Sequence, residues 1–403
     1  MSDLKSFKLK DISEVITGVT PRTEEGVFSN NGIDFLTPTD ITGFDFNARS
    51  ERKLDLEGVT RFNSRVVDFG LAVVCIGATI GKLARITTPT LTNQQINTIV
   101  PREGLADRDY LYYYFQEMVD NLKMVSGGSA TPLLNKSLFE AVQVTLPNFP
   151  TQQKIGKYLA GIDEQIQINR TIIHDGKQAI ELLYRYWFMN SNSKLDSRAV
   201  NSEKQNFVML GNVINSINTG LNPRDNFKLG VGTNYYVTIK NIEDGEVILD
   251  EKCDLINDES IEFIQKRSKL EVGDTLFTSI EPVGITHFIA RNPENWNINE
   301  SVFSIKPNRE LISPEFLNAV VSSAQIKSYT KNVASGSIHK GIRHSDLKRF
   351  EFVLPSSEQM NKFTKIAKYL HEQIATSRSS IASLEAYKKN VASQLLSGHI
   401  FFK

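Results

Sequence analysis

Several short stretches carry side chains able to bind a polyanion or read a base edge. Ser335–Arg349 holds Lys340, Arg343, Lys348 and Arg349 with His339 and His344, against one carboxylate, Asp346. Cations at that density neutralise phosphates, Ser337 adds a hydroxyl, and Gly336 and Gly341 let the backbone come close to a ligand. The same stretch also reads as a solvated loop running into a helix capped by Ser345. An earlier stretch, Ser126-Gly127-Gly128-Ser129-Ala130-Thr131-Pro132, is followed by Lys136 and is far less charged. There Ser129, Thr131 and backbone amides would have to do the binding. Asn93-Gln94-Gln95 is a dense amide cluster ahead of a strand, and amides pair bidentately with adenine in the major groove; a polar turn has the same composition. Arg22 and Arg224 close two Pro-Arg turns and could reach phosphate. Lys82, in Ile80-Gly81-Lys82, belongs to a tight turn after a strand.

Reactive chemistry is missing from these stretches. Ile80-Gly81-Lys82 departs from a phosphate-binding loop, because Leu83 stands where Ser or Thr is required and Ile76 where the leading Gly is. Phe69-Gly70 leads into Leu71 without the further glycine of a methyltransferase cofactor loop. Asn222-Pro223-Arg224 and Asn292-Pro293-Glu294 lack the second proline of the Asn-Pro-Pro-aromatic methyltransferase motif. The six histidines show no metal-ligand spacing with Cys, Asp or Glu, so no metal is expected. The residues read as binders rather than catalysts.

The elements that position them occur twice. Ile16-Thr17-Gly18-Val19-Thr20-Pro21-Arg22 is matched by Asn218-Thr219-Gly220-Leu221-Asn222-Pro223-Arg224, and both end Thr-Gly-x-x-Pro-Arg. Asn93–Pro101 is echoed by Asn299–Pro307, Ser126–Ser129 by Ala334–Ser337, and Val144–Pro147 by Phe352–Pro355. Each half then opens a helix with Lys-Ile-x-Lys-Tyr-Leu, at Lys154–Leu159 and Lys365–Leu370. Matches in one order along the chain indicate a tandem duplication of a mixed domain plus a long helix. The domains alternate β-branched runs such as Val73–Ile76 and Asn234–Ile239 with Gly, Asn, Asp and Pro turns, as strands do.

The helices carry a coiled-coil pattern. The first places Ile155, Leu159, Ile162, Ile166, Asn169, Ile173, Ile180 and Leu183 on one seam, interrupted by Asn169 and Gly176. The second gives Ile366, Leu370, Ile374, Ile381, Leu384, Val391 and Leu395, with Ser377 and Lys388 on the same track and a one-residue drift between Leu370 and Ile374. Helices of roughly 35–40 residues would be about 50–60 Å long. Packing each seam against the other is the simplest burial, and it would set the globular halves at opposite ends of a rod. The expected fold is therefore α+β: a tandem repeat of two mixed α/β domains (1–150 and 207–356), a central helix (151–190), a linker (191–206) and a second long helix (357–403), the helices forming an antiparallel coiled coil. Tyr110–Phe115 is read as core on a helix, and Trp187-Phe188 as packing at a helix end.

Composition bounds this reading. The chain has 403 residues, 46 Lys plus Arg against 46 Asp plus Glu, and a slightly acidic first half, so any nucleic-acid face is a local patch. Cys75 and Cys253, both in apolar runs, suggest a reducing compartment. Met1–Lys5 shows no signal peptide, and the apolar run Phe69–Ile80 is too short to span a bilayer, so a cytoplasmic location is expected.

Taken together, the layout resembles the specificity subunits of type I restriction–modification enzymes. The resemblance rests on the domain–helix–domain–helix order, the Lys-Ile-x-Lys-Tyr-Leu openings after Leu-Pro, Trp187-Phe188, and Gln394-Leu395-Leu396-Ser397-Gly398-His399-Ile400-Phe401. It implies two target-recognition domains, each reading half of a split double-stranded DNA sequence, with the helices fixing the spacing. It also implies two methyltransferase (modification) subunits carrying S-adenosylmethionine, restriction subunits with ATP-dependent translocase and nuclease activity, and no cofactor or catalysis on this chain. Two other readings stand beside it: a specificity subunit whose partner fuses methylation and cleavage, and a coiled-coil adaptor with no DNA role.

Overall fold

A computed structural model describes residues 4–126, 132–189, 206–224, 226–335 and 341–397. Contacts divide the chain into two compact units, Met1–Ile168 with Ile381–Lys403, and Asn169–Ser380. Each unit contains one globular copy and segments of both long helices, Phe149–Tyr184 and Ser357–Leu396.

In the first unit, the main sheet runs in the order Ser13–Thr17, Ile96–Pro101, Gly70–Val74, Leu83–Ile86, Phe44–Asp45. All neighbours are antiparallel except the last pair. Gly70–Val74 is buried along its whole length because both of its faces are covered. Leu71, Val73 and Cys75 turn to one core, with Tyr110, Tyr113 and Phe115 of the helix Arg108–Glu117, while Ala72 and Val74 turn to another with Leu36, Ile41 and Ile96. Asp107 caps that helix by accepting from the Tyr110 amide at 2.8 Å. A separate four-stranded sheet comprises Phe28–Ser29, Lys53–Leu54, Ile33–Leu36 and Thr90–Thr92. Lys5–Lys8 pairs with Gln143–Leu146, the strand that leads into the first long helix.

The second unit repeats this plan. Its main sheet runs Ile214–Thr219, Val302–Pro307, Thr275–Thr278, Thr286–Phe288, again antiparallel. Ser313 caps Pro314–Ser322 as Asp107 caps its counterpart. Phe207–Met209 pairs with Glu351–Val353 just before the second long helix. Asn234–Val237 is a strand, flanked by Asp254–Ile256 and Trp296–Ile298.

Along the first long helix Ile155, Leu159, Ile162, Ile166 and Ile180 are buried, and Asn169, Ile173 and Leu183 half-buried. Gly176 sits where a Cβ would lie 3.0 Å from Ile374, so the helices pack closely there. Within the second unit the pairs Gly176–Ile374 and Tyr184–Phe363 run in opposite sequence directions, so the helices are antiparallel. Tyr184, Trp187 and Phe188 pack on Phe363, the last two from a π-helical turn at Arg185–Met189.

The second seam needs one correction. Ile366 is 42% exposed, and Met360, Phe363 and Ala367 are buried in its place. Continuing through Leu370, Ile374, Ser377, Ile381, Leu384, Lys388, Val391 and Leu395, these positions alternate steps of three and four without drift. Starting the seam at Ile366 therefore put its first position one off the heptad track. Polar Ser377 is buried on that track, as placed, and Lys388 reaches the Asp163 carboxylate at 2.7 Å.

Candidate nucleic-acid interface

The register of each main sheet gathers candidates that lie far apart in sequence. In the first unit Thr17 is opposite Asn97, Asn97 opposite Val73, and Val73 opposite Leu83. Just beyond this line, on one sheet end, lie Gly18–Arg22, Asn93–Gln95, Val74–Ile76 and Lys82. In the second unit the line is Thr219, Phe303, Phe277 and Thr286, and beyond it lie Gly220–Arg224, Asn299–Ser301, Thr278–Ile280 and Ile285. The segments ahead of the short helices Lys136–Glu140 and His344–Lys348 join the same ends. Leu133 bridges Ile76 and the Leu134 amide donates to Cys75; Gly341 bridges Ile280 and the Ile342 amide donates to Ser279.

The recurring Thr-Gly turn has a steric cause. A Cβ on Gly18 would collide with the Thr92 and Asn93 carbonyls, and one on Gly220 with that of Ile298. Only glycine allows the strand to pass that close to its neighbour. Asn93 and Asn299 are likewise turn formers: their side-chain oxygens accept from the Gln95 and Ser301 amides at 3.0 and 3.1 Å, and their own amides bond Leu36 and Val237. Asn93 is buried, so the polar-turn reading holds for it. Gln94 is exposed and accepts from Thr20, while Gln95 is half-buried and bonded to Asn93.

Arg22 and Arg224 are exposed on the turns, and Lys82 is half-buried. Lys136 is exposed and 3.6 Å from Glu140 one turn along its helix, a pairing that water holds only weakly. Ser129, Thr131, Ser337, His339 and Lys340 lie outside the described residues. Arg343 is exposed and is itself the N-cap of His344–Lys348, without a side-chain cap, so Ser345 is not the cap expected from sequence. The equivalent residue of the first unit, Asn135, caps in the ordinary way by accepting from the Leu138 amide. Beside Arg343, His344 stands edge-on to Phe303 at 4.2 Å, and burial, then Lys348 and Arg267, pull its pKa down.

Sequence reading passed over two residues at these edges. Arg65 donates to the Thr17 carbonyl at 2.8 Å, and Arg267 to the Thr219 hydroxyl at 3.1 Å. Both are exposed, and each stands a few residues before a glycine at or just ahead of the next sheet strand, Gly70 or Gly273. An Arg shortly ahead of a Gly in both copies, at spacings that differ by one residue, was the available signal. Among the described residues no cluster of His, Cys, Asp and Glu could hold a metal ion, and no helix is long and apolar enough to cross a membrane.

A sequence profile described as "Type I restriction modification DNA specificity domain" matches residues 1–175. The type I restriction enzyme MjaIX specificity subunit of Methanocaldococcus jannaschii is 24% identical, over 98% of this chain and 92% of its own length. The EcoBI specificity subunit of Escherichia coli is 21% identical over 76% of this chain and 68% of its own. Among solved structures, the type I restriction–modification S subunit from M. genitalium superposes with a TM-score of 0.67 over 100% of this chain and 97% of that one, at 12% identity. The profile covers the first copy and most of its helix, the M. jannaschii relative spans both copies, and the fold is like that of an S subunit. The chain is thus similar, over nearly its whole length, to DNA-specificity subunits of type I restriction–modification systems.

Proposed function

We propose that each copy reads one half of a bipartite double-stranded DNA target through the sheet end described above, and that the two long helices set the spacer between the half-sites. The observation that carries this reading is the sheet register. In both copies it brings the Pro-Arg turn, the Asn turn and the segment ahead of the short helix to one edge, although they are spread over more than a hundred residues. The target-recognition domains are residues 1–150 and 207–356. The chain itself is a non-catalytic reader that works in the cytoplasm; two methyltransferase subunits bring S-adenosylmethionine, and restriction subunits bring ATP-driven translocation and cleavage.

The test is methylome sequencing of cells expressing the chain with its methyltransferase partner. A split motif is expected. Replacing residues 1–150 with the first domain of another member should change one half of that motif and leave the other half and the spacer as they were. Simultaneous change of both halves would end the modular reading, and a chain that supports no methylated motif would end the specificity reading itself.

A further inference from the structure

The two copies have diverged in sequence while keeping one frame, and this separates two kinds of DNA contact. Two domains that read different half-sites need different side chains at base edges. They need the same side chains wherever they meet what every half-site shares, the sugar–phosphate backbone. Residues at the interface edge therefore sort by whether they recur.

Most do not recur. Gln94 corresponds to Glu300, Lys82 to Ile285, Asn97 to Phe303, and Asn135 to Arg343. Two arginines do. Arg22 and Arg224 end the equivalent Thr-Gly-x-x-Pro-Arg turns, and Arg65 and Arg267 hydrogen-bond the equivalent threonines, Thr17 and Thr219. The bonds themselves differ, one to a backbone carbonyl and one to a hydroxyl, yet each guanidinium is held against the equivalent threonine. All four arginines are exposed, and none has a carboxylate within ion-pair distance among the described residues. A structural arginine staple normally ends on an acid or is buried, as Arg85 is against Asp109 at 2.9 Å in the first unit. Arg65 and Arg267 are each tethered by that one bond, and all four arginines keep their charge exposed to solvent. Thr17 and Arg22 are five residues apart, so the backbone that holds the Arg65 guanidinium lies within about 17 Å of the Arg22 Cα, about five base-pair steps.

We infer that Arg65 and Arg267, with Arg22 and Arg224, are the phosphate anchors of the two reading domains, and that specificity resides in the non-recurring residues beside them. The threonine bond pre-orients the guanidinium fork, which suits two phosphate oxygens at once. This assignment rests on the DNA-reading function proposed above.

The experiment uses the chain assembled with its methyltransferase partner. Its probes are a duplex carrying the motif found for the wild type and an equal-length duplex lacking it. Arg65→Ala and Arg267→Ala should each weaken binding to both duplexes by a similar factor, roughly tenfold. Each should lower the slope of log affinity against log salt by about 0.9, and the double variant by about twice that. Arg65→Gln keeps a donor for the Thr17 carbonyl and removes the charge, so it should show the same slope change even if the alanine variant folds poorly. Arg65→Lys should restore the slope. The methylated motif should stay unchanged throughout. A variant with the wild-type slope, or one that alters a half-site, overturns the anchor assignment while the specificity reading stands. Equal binding of both duplexes by the wild type overturns the specificity reading and the anchors with it.

Discussion

The two units fasten a similar globular copy to the same pair of helices with different chemistry. In the first, Asp163 is buried on the first long helix and accepts both the Tyr113 hydroxyl and the Lys388 ammonium at 2.7 Å. Gln152 is buried nearby and ties the Leu105 and Pro147 carbonyls to the Asp107 amide. In the second unit the position equivalent to Gln152 is Phe363, at the centre of an aromatic cluster with Tyr184, Trp187, Phe188 and Phe316. Its charges lie elsewhere: Glu246 meets both Lys177 and Arg378, Lys177 also donates to the Asp244 carbonyl, and Arg291 reaches Thr376 and Ser379. Two histidines, His287 and His371, are buried beside this group. The frame has persisted where backbone pairing and glycine packing define it, and the side-chain locks have been free to change because several chemistries can fill one gap.

This contrast can be broken most forcefully at Phe363. Phe363→Ala should cost about 3–5 kcal/mol, whereas Gln152→Ala, which strands three polar partners, should cost about 1–3 kcal/mol. Chemical denaturation of the two variants compares them, and equal losses would mean the aromatic cluster is not the lock of the second unit.

The two Lys-Ile-x-Lys-Tyr-Leu openings give the next test. Ile155 is buried and Ile366 exposed, so Ile155→Ala should cost about 2–5 kcal/mol and Ile366→Ala no more than about 0.5 kcal/mol. A comparable loss at Ile366 would restore it to the seam.

Acidification should separate the units by about 2 kcal/mol. Burial holds His287 and His371 neutral, with pKa values pulled down to about 3, and Arg378 reinforces the shift at both. The unfolded chain protonates its histidines near 6.5, so it binds more protons than the folded one between those values. Stability from this source is complete above about pH 6.5 and falls as pH drops toward 3. From pH 6.5 to 5.5 the two histidines together should cost about 2 kcal/mol. Among its described residues the first unit has no histidine. Hydrogen exchange followed by region should therefore show protection lost first in residues 207–380, and matched losses in both units would exclude the histidines as the cause.

The smallest effect is at the short helices. Arg343→Asn copies Asn135 and supplies the missing cap, so it should stabilise by about 1 kcal/mol while weakening DNA binding by the assembled complex. A gain in stability with unchanged binding would leave Arg343 without a role at the interface.

Much of this architecture was legible from sequence because it rests on local rules. The duplication, the strand-like runs around Val73 and Tyr235, the two long helices and the core helix Tyr110–Phe115 follow from repeated words, period-2 and heptad patterns, and turn residues. The seam failed only at Ile366, where an apolar residue on the flank imitated a core position. The cap at Ser345 failed because Arg343, an unfavourable capping residue, occupies the site. What sequence could not decide is which distant residues share an edge. Antiparallel register links Thr17 to Asn97 and Val73, and Thr219 to Phe303 and Phe277, through hydrogen bonds between residues up to about 80 apart. Arg65 and Arg267 acquire their place only when the helix before the next strand folds back onto those threonines. Periodicity is set by covalent neighbours and so is written in the chain; the meeting of separate segments depends on a sheet register that exists only once the core has closed.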